Sequence, residues 1–224
     1  MTSKPAPCFS VTAVVPVKPL ALAKSRLALP AEHRRALALA FALDTVAALA
    51  ETSYVVGVLV VTSDETVAES VGRLGARVAD DRGSGLGAAV REGIRVAARW
   101  QPDSGVAVVP GDLPCLTPAD VTEVLAGAGS DAGGRGAFVP DRAGTGTTFV
   151  VQASGVPALT RYGPDSASRH RALGMRVLDR SPTGARHDVD TLADLRAAIA
   201  LGAGRQTLAV VDALGLEVPV PGLH

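Results

Sequence analysis

Lys18, Lys24 and Arg26 lie within nine residues of one another, in a stretch with no glycine. Three cations on one short loop suit the oxygens of a polyphosphate, or equally a solvated basic face. Asp112 follows Pro110-Gly111 and precedes Leu113-Pro114. Gly111 permits a tight turn or close approach of a ligand such as a nucleotide, and Asp112 suits either a metal-binding carboxylate or the cap of that turn. Asp188 and Asp190 are two residues apart, so in extended chain both side chains share one face. Oxygen-only donors of this kind point to Mg2+ or Mn2+ rather than zinc. The alternative is that Asp190 caps the helix that follows. In Arg161-Tyr-Gly163-Pro-Asp-Ser166-Ala-Ser-Arg169-His170, a turn runs into a helix start, where N–H groups and the Ser166 hydroxyl make an anion pocket. His170 lies one turn past Ser166 on the same face. Gly144-Thr-Gly-Thr147-Thr148 is a hydroxyl-rich turn able to supply a second phosphate contact.

These groups need elements that bring them to one place. Strands are expected over Val11–Val17, Tyr54–Thr62, Ala76–Ala79, Gly105–Val109, Ala137–Pro140, Thr147–Gln152 and Met175–Leu178. Apolar positions at helical spacing predict a helix over Ala31–Glu51, and further helices are expected over Glu65–Leu74, Leu86–Trp100, Asp165–Leu173 and Thr191–Leu201. Thr117-Pro118 opens another, running to about Leu125, as N-cap and first helical residue. The last twenty residues read as a Pro-bearing tail, 205–224, with one strand over Thr207–Val211, and 1–10 as a flexible start. Alternating strands and helices indicate an α/β fold with a mostly parallel sheet, here one domain over 1–224. Ligands of such sheets bind beyond the carboxyl ends of the strands, where the Lys18 loop and Asp112 fall.

Composition narrows the partners. Lys+Arg and Asp+Glu are both 22, a net charge of +0, without the cationic excess of a sequence-independent nucleic-acid binder. Hydrophobic residues make up 47% of the 224, enough for a sizeable core. No apolar run nears the roughly 18 residues of a membrane span, and the first residues lack a signal-peptide layout. Cys8 and Cys115 form no disulfide framework. Cys115 and Trp100 read as structural. A cytoplasmic protein with small-molecule partners is expected. A Gly-x-Gly-x-x-Gly dinucleotide fingerprint is absent after the first strand, which disfavours a dehydrogenase.

In order along the chain, Pro16-Val-Lys18 with Lys24-Ser-Arg26-Leu27, Gly111-Asp112-Leu-Pro114, Gly144-Thr-Gly-Thr147, Gly163-Pro-Asp-Ser166 with Arg169-His170, and Asp188-Val-Asp190-Thr191 resemble the CofC/FbiD family. These are guanylyltransferases of coenzyme F420 biosynthesis in the MobA-like nucleotidyltransferase superfamily. The resemblance spans about Val11 to Leu201. It implies a three-layer α/β/α, Rossmann-like fold of the nucleotide-diphospho-sugar transferase type. It implies that GTP and a phosphorylated three-carbon acid, phosphoenolpyruvate or 2-phospho-L-lactate, are joined with loss of diphosphate. By the matching motifs, Lys18, Lys24 and Arg26 would hold the triphosphate, and Asp112, Asp188 and Asp190 one or two Mg2+. Thr147 or Thr148, Gly163 and Ser166, with His170 beside them, would hold the acid. The next enzyme of that pathway is the implied protein partner. One departure is Leu86-Gly87-Ala-Ala89, where the family usually reads Leu-Asn-x-Ala. The competing readings are another nucleotidyltransferase of the superfamily and a nucleotide-binding module without catalysis. The three candidate metal carboxylates speak against the latter.

Overall fold

The structure, a computed structural model, describes residues 9–81, 83, 85–129, 134–155 and 158–216. Cys8, most of the 1–10 segment and the end of the tail, 217–224, lie outside them. Seven strands form one sheet: β1 (Val11–Pro16), β2 (Val55–Thr62), β3 (Arg77–Asp80), β4 (Gly105–Val108), β5 (Ala137–Pro140), β6 (Thr147–Gln152) and β7 (Arg176–Val177). Their spatial order is β3-β2-β1-β4-β6-β5-β7. Only β6 is reversed, pairing antiparallel with β4 and β5.

Both faces are covered. Helices α1 (Ala31–Ala50), α2 (Glu65–Gly72) and α4 (Pro118–Ala128) pack on the face that carries Val11, Ala13 and Val15. Helices α3 (Leu86–Trp100) and α5 (Ser166–Ala172) cover the opposite face, with Val14, Leu59 and Val61. Strands buried on both sides read as near-continuous valine and alanine, as parallel sheets require. The architecture is thus three-layer α/β/α with a mostly parallel sheet. No helix among the described residues is long and apolar enough to cross a membrane.

Two consequences follow for the site. The chain order turns back between β1 and β4, and such a switch point opens a crevice at the strands' carboxyl ends. Because β6 is reversed, its first residues, Thr147 and Thr148, reach that same edge.

The expected strand over Thr207–Val211 is instead the middle of a helix, α7 (Arg205–Ala213), following α6 (Leu192–Leu201). The β-branched run is overruled by a remote cap. Asp44, on α1, accepts from the N–H groups of Gln206 (3.0 Å) and Thr207 (2.8 Å). A carboxylate there satisfies two of the free donors that open a helix and complements its dipole. Helix α7 then packs along α1. Cys115 is buried, its thiol donating to the Ala198 carbonyl at 3.2 Å, and burial pushes its pKa up to about 12. Trp100 lies against Gly57, with the Arg77 guanidinium 5.1 Å above its ring.

Candidate active site

The loop after β1 folds back through a 3-10 turn (Leu20–Leu22) and places Lys24 in the left-handed region, φ 52°. A non-glycine residue there costs about 1 kcal/mol or more and is held by its surroundings. The Lys24 ammonium donates to Asp112 Oδ2 at 2.7 Å and to Asp190 Oδ1 at 3.0 Å. Arg26 reaches the other oxygen of Asp190 at 3.2 Å. Three segments that are 88 and 166 residues apart in the chain meet at this one ammonium. Burial alone would lower the Lys24 pKa, but Asp112 and Asp190 more than offset it and hold it above its usual value. Lys18 is exposed, two residues past the end of β1.

Asp112 is delivered by the turn after β4. Its backbone carbonyl accepts from Val189 N–H at 3.1 Å, which straps the Asp188–Asp190 segment alongside. At Gly111 a Cβ would stand 2.9 Å from Val17 Cγ2, so no side chain fits between the two strand ends. Asp190 is not the helix cap: Thr191 is. Its hydroxyl accepts from Asp194 N–H, and the Asp194 carboxylate in turn accepts from Thr191 N–H at 2.9 Å. This capping box also takes Asp190 N–H, at 3.3 Å, and leaves the Asp190 carboxylate free to face Lys24. His187, fully buried, donates from Nε2 to the Asp194 carbonyl at 2.9 Å and fixes the same turn.

Burial, with Asp112 and Asp190 adding like charge, pushes the Asp188 carboxyl up to about 7. The acidic groups are therefore near enough to repel. Among the described residues, no three acidic, imidazole or thiol groups stand together as a ready metal cage. Two carboxylates converge, and an ammonium sits between them. Mg2+ is commonly held by one or two carboxylates plus substrate phosphates, and this all-oxygen donor pair fits that habit. Because the folded pKa of Asp188 is raised, protonation of Asp188 stabilises the fold below the unfolded value, and this contribution is lost as pH rises through about 7. Asp188→Asn should thus stabilise the metal-free protein at pH 8 by on the order of 3 kcal/mol, with the gain fading toward pH 4. Urea denaturation of both proteins across that range checks it, and a gain independent of pH would refute the assignment.

The second half of the site is built on β6. Between β5 and β6 the pairing shifts, so that Thr148 is the extra residue of a bulge. Bulges recur beside functional sites because they free and re-aim backbone groups. The Thr148 hydroxyl donates to the Ala185 carbonyl at 2.6 Å. Asp141 holds the preceding turn, accepting from Thr145 N–H (3.0 Å) and Gly146 N–H (2.9 Å). Ala167 N–H donates to the Thr145 carbonyl at 3.0 Å and joins this turn to the start of α5. Ser166 is buried at that start, and Gly163, at φ 121°, leads into it.

His170 is a brace. Its Nε2 accepts from Arg161 N–H at 2.9 Å, so the neutral ring carries its proton on Nδ1, which lies 3.0 Å from Thr147 Oγ1. Burial, and then the charge of Arg161, lower its pKa to about 4, against a backbone hydrogen bond at Ser166. A fully buried neutral imidazole with both nitrogens committed holds the Gly163 loop against β6 and does not face a substrate directly. The Thr147 hydroxyl is committed with it. Tyr162, whose hydroxyl donates to the Val108 carbonyl at 3.0 Å, ties the same loop to β4. Asp141 follows a strand and precedes a Gly-Thr turn, which is the sequence signal of its role. Tyr162 and His187 carry no such signal.

A family model described as guanylyl transferase, CofC like, matches residues 11–221. The phosphoenolpyruvate guanylyltransferase of Streptomyces avermitilis is 47% identical over 214 residues, covering 94% of this chain and 97% of that protein. The protein of the same name from Streptosporangium roseum is 43% identical over 212 residues, 94% of each. A nucleotide-diphospho-sugar transferase structure from Desulfovibrio desulfuricans G20 superposes with a TM-score of 0.68 at 18% identity, covering 91% of this chain and 96% of that one. A 4-diphosphocytidyl-2C-methyl-D-erythritol synthase gives 0.58 at 14%, with 86% and 99% covered. At these identities the two structures show the fold alone.

Proposed function

The chain belongs to the CofC-like guanylyl transferases, and from that premise we propose that it joins GMP from GTP to phosphoenolpyruvate and releases diphosphate. The observation that carries this is the convergence of Lys24, Asp112 and Asp190 at the carboxyl edge of the sheet. The names of relatives at 47% and 43% identity support phosphoenolpyruvate as the acceptor rather than 2-phospho-L-lactate.

A phosphate oxygen of the acid attacks the α-phosphorus of GTP. The bond from that phosphorus to the bridging oxygen breaks, and diphosphate leaves. The nucleophile is already largely dianionic at pH 7, its second pKa being near 6, so no general base is needed. His170, neutral and committed on both nitrogens, is consistent with that. The barrier is electrostatic: unit charges ~4 Å apart in an effective dielectric of ~20 repel by about 4 kcal/mol. Lys18, Lys24 and Arg26 offset this along the triphosphate and the departing diphosphate. Asp112 and Asp190, with Asp188 beside them, would hold Mg2+, which when bound adds positive charge at the reacting phosphates. The backbone of the Thr147–Thr148 bulge, Gly163 and Ser166 would seat the acid with its phosphate in line.

Diphosphate release from GTP and Mg2+, with phosphoenolpyruvate and with 2-phospho-L-lactate in parallel, tests the proposal. Release with phosphoenolpyruvate is expected. Release with 2-phospho-L-lactate alone would move the acceptor to that acid. GTP binding with no release from either acid would make the chain a nucleotide-binding module.

A further inference from the structure

A guanylyl donor must be told apart from ATP, and on the proposed mechanism the Lys24–Asp112–Asp190 centre would meet the phosphates and the metal but not the base. If the acid lies on the β6 side of that centre, the nucleoside extends the other way along the edge, toward β2, β3 and the first turn of α3. Helix α3 packs across β1, β2 and β4, and it starts where β3 delivers the chain to the carboxyl edge. After β2, the carboxylate of Asp64 is already committed to Leu20 N–H and to capping α2.

In the first turn of α3, Gly87 has no side chain, and the room above it is taken by Arg91. A Cβ at Gly87 would stand 3.5 Å from Arg91 Nη1. That arrangement follows from helix geometry: side chains lean toward the N-terminus, so the stem of Arg91 runs back over the residue four positions earlier. The bare glycine leaves that corridor open, and the guanidinium is carried back to the first turn of α3. Arg91 is exposed, and among the described residues no carboxylate pairs with it, whereas Arg95 one turn on is held by Glu92.

We propose that Arg91 reads the base. Its planar guanidinium presents two parallel N–H donors, which match the O6 and N7 acceptors of guanine. Adenine puts an amino group where O6 would be and repels one of the donors. Gly87 and Arg91 thus act together, the first by vacating space and the second by filling it with a guanine-specific donor pair. This rests on the guanylyl-transfer reading.

The test measures binding of GTP, 7-deaza-GTP and ATP by calorimetry with Mg2+, alongside turnover, for the native protein, Arg91→Ala and Gly87→Leu. The native protein should bind GTP best, with a several-fold penalty for loss of N7. Arg91→Ala should weaken GTP by roughly 5- to 100-fold, erase the 7-deaza penalty and bring ATP level with GTP. Its kcat at saturating GTP should stay within about threefold, since uniform binding is what was removed. Gly87→Leu, which blocks the corridor, should do the same. An Arg91→Ala protein that keeps the native ratios of GTP to 7-deaza-GTP and to ATP overturns the assignment. A native protein that neither binds nor turns over GTP overturns the guanylyl-transfer reading instead, and this one with it.

Discussion

Asp112→Asn is expected to lower kcat for diphosphate release by roughly a thousandfold while leaving the fold intact. The amide keeps the size of the carboxylate and one oxygen but removes its charge. On the proposed mechanism that charge helps hold the cation against which two anions meet. A single interaction of about 4 kcal/mol at ~4 Å corresponds to roughly three factors of ten in rate. The cost in stability should be small, because two effects oppose. Lys24 loses its 2.7 Å partner but keeps Asp190 at 3.0 Å. Asp188, whose carboxyl is pushed up partly by Asp112, is relieved of a like charge. Steady-state turnover at saturating Mg2+, beside a thermal melt of the same preparation, separates the outcomes. A folded variant within tenfold of native turnover would remove Asp112 from the catalytic centre.

What the chain's letters disclosed and what they hid divide along physical lines. Helix α1 runs over Ala31–Ala50, within one residue of what its apolar spacing predicts, and α4 opens at Thr117-Pro118. Those signals are local, set by periodicity and by a cap within a few residues. Helix α7 was hidden because its cap, Asp44, is 162 residues away from Gln206. The residues of the site were legible singly, as a cationic loop, a Gly-Asp turn and an Asp-x-Asp pair, but their roles were not. Whether Asp190 caps a helix or faces a cation depends on Thr191 and Asp194 closing the capping box between themselves. His170 lies on the same face as Ser166, which suggests a ligand. Only the fold shows Arg161 N–H and Thr147 taking its two nitrogens. The bulge at Thr148 is a matter of register between strands, and no single-strand pattern encodes it.

Lys24→Met should cost turnover at least a hundredfold, with an effect on metal binding that runs the opposite way. In the metal-free protein the Lys24 side chain, 10% exposed, is the cation that bridges Asp112 and Asp190, with Arg26 on the other oxygen of Asp190. Methionine fills similar volume without charge and leaves two partly buried carboxylates facing each other. Removing one member of a buried pair is costly, but these partners are 25% and 40% exposed. Solvent screening then holds the loss to roughly 1–2 kcal/mol. If the same carboxylates hold Mg2+ during the reaction, the ion and the ammonium compete for one seat until the triphosphate gives Lys24 a new partner. Mg2+ alone should therefore raise the melting temperature of Lys24→Met by more than it raises that of the native protein, because the ion supplies the missing charge. Native and variant melts with and without Mg2+, and no nucleotide, read this directly. A variant that Mg2+ does not stabilise beyond native would mean that the ion sits elsewhere, and that the ion pairs of Lys24 only lock its loop.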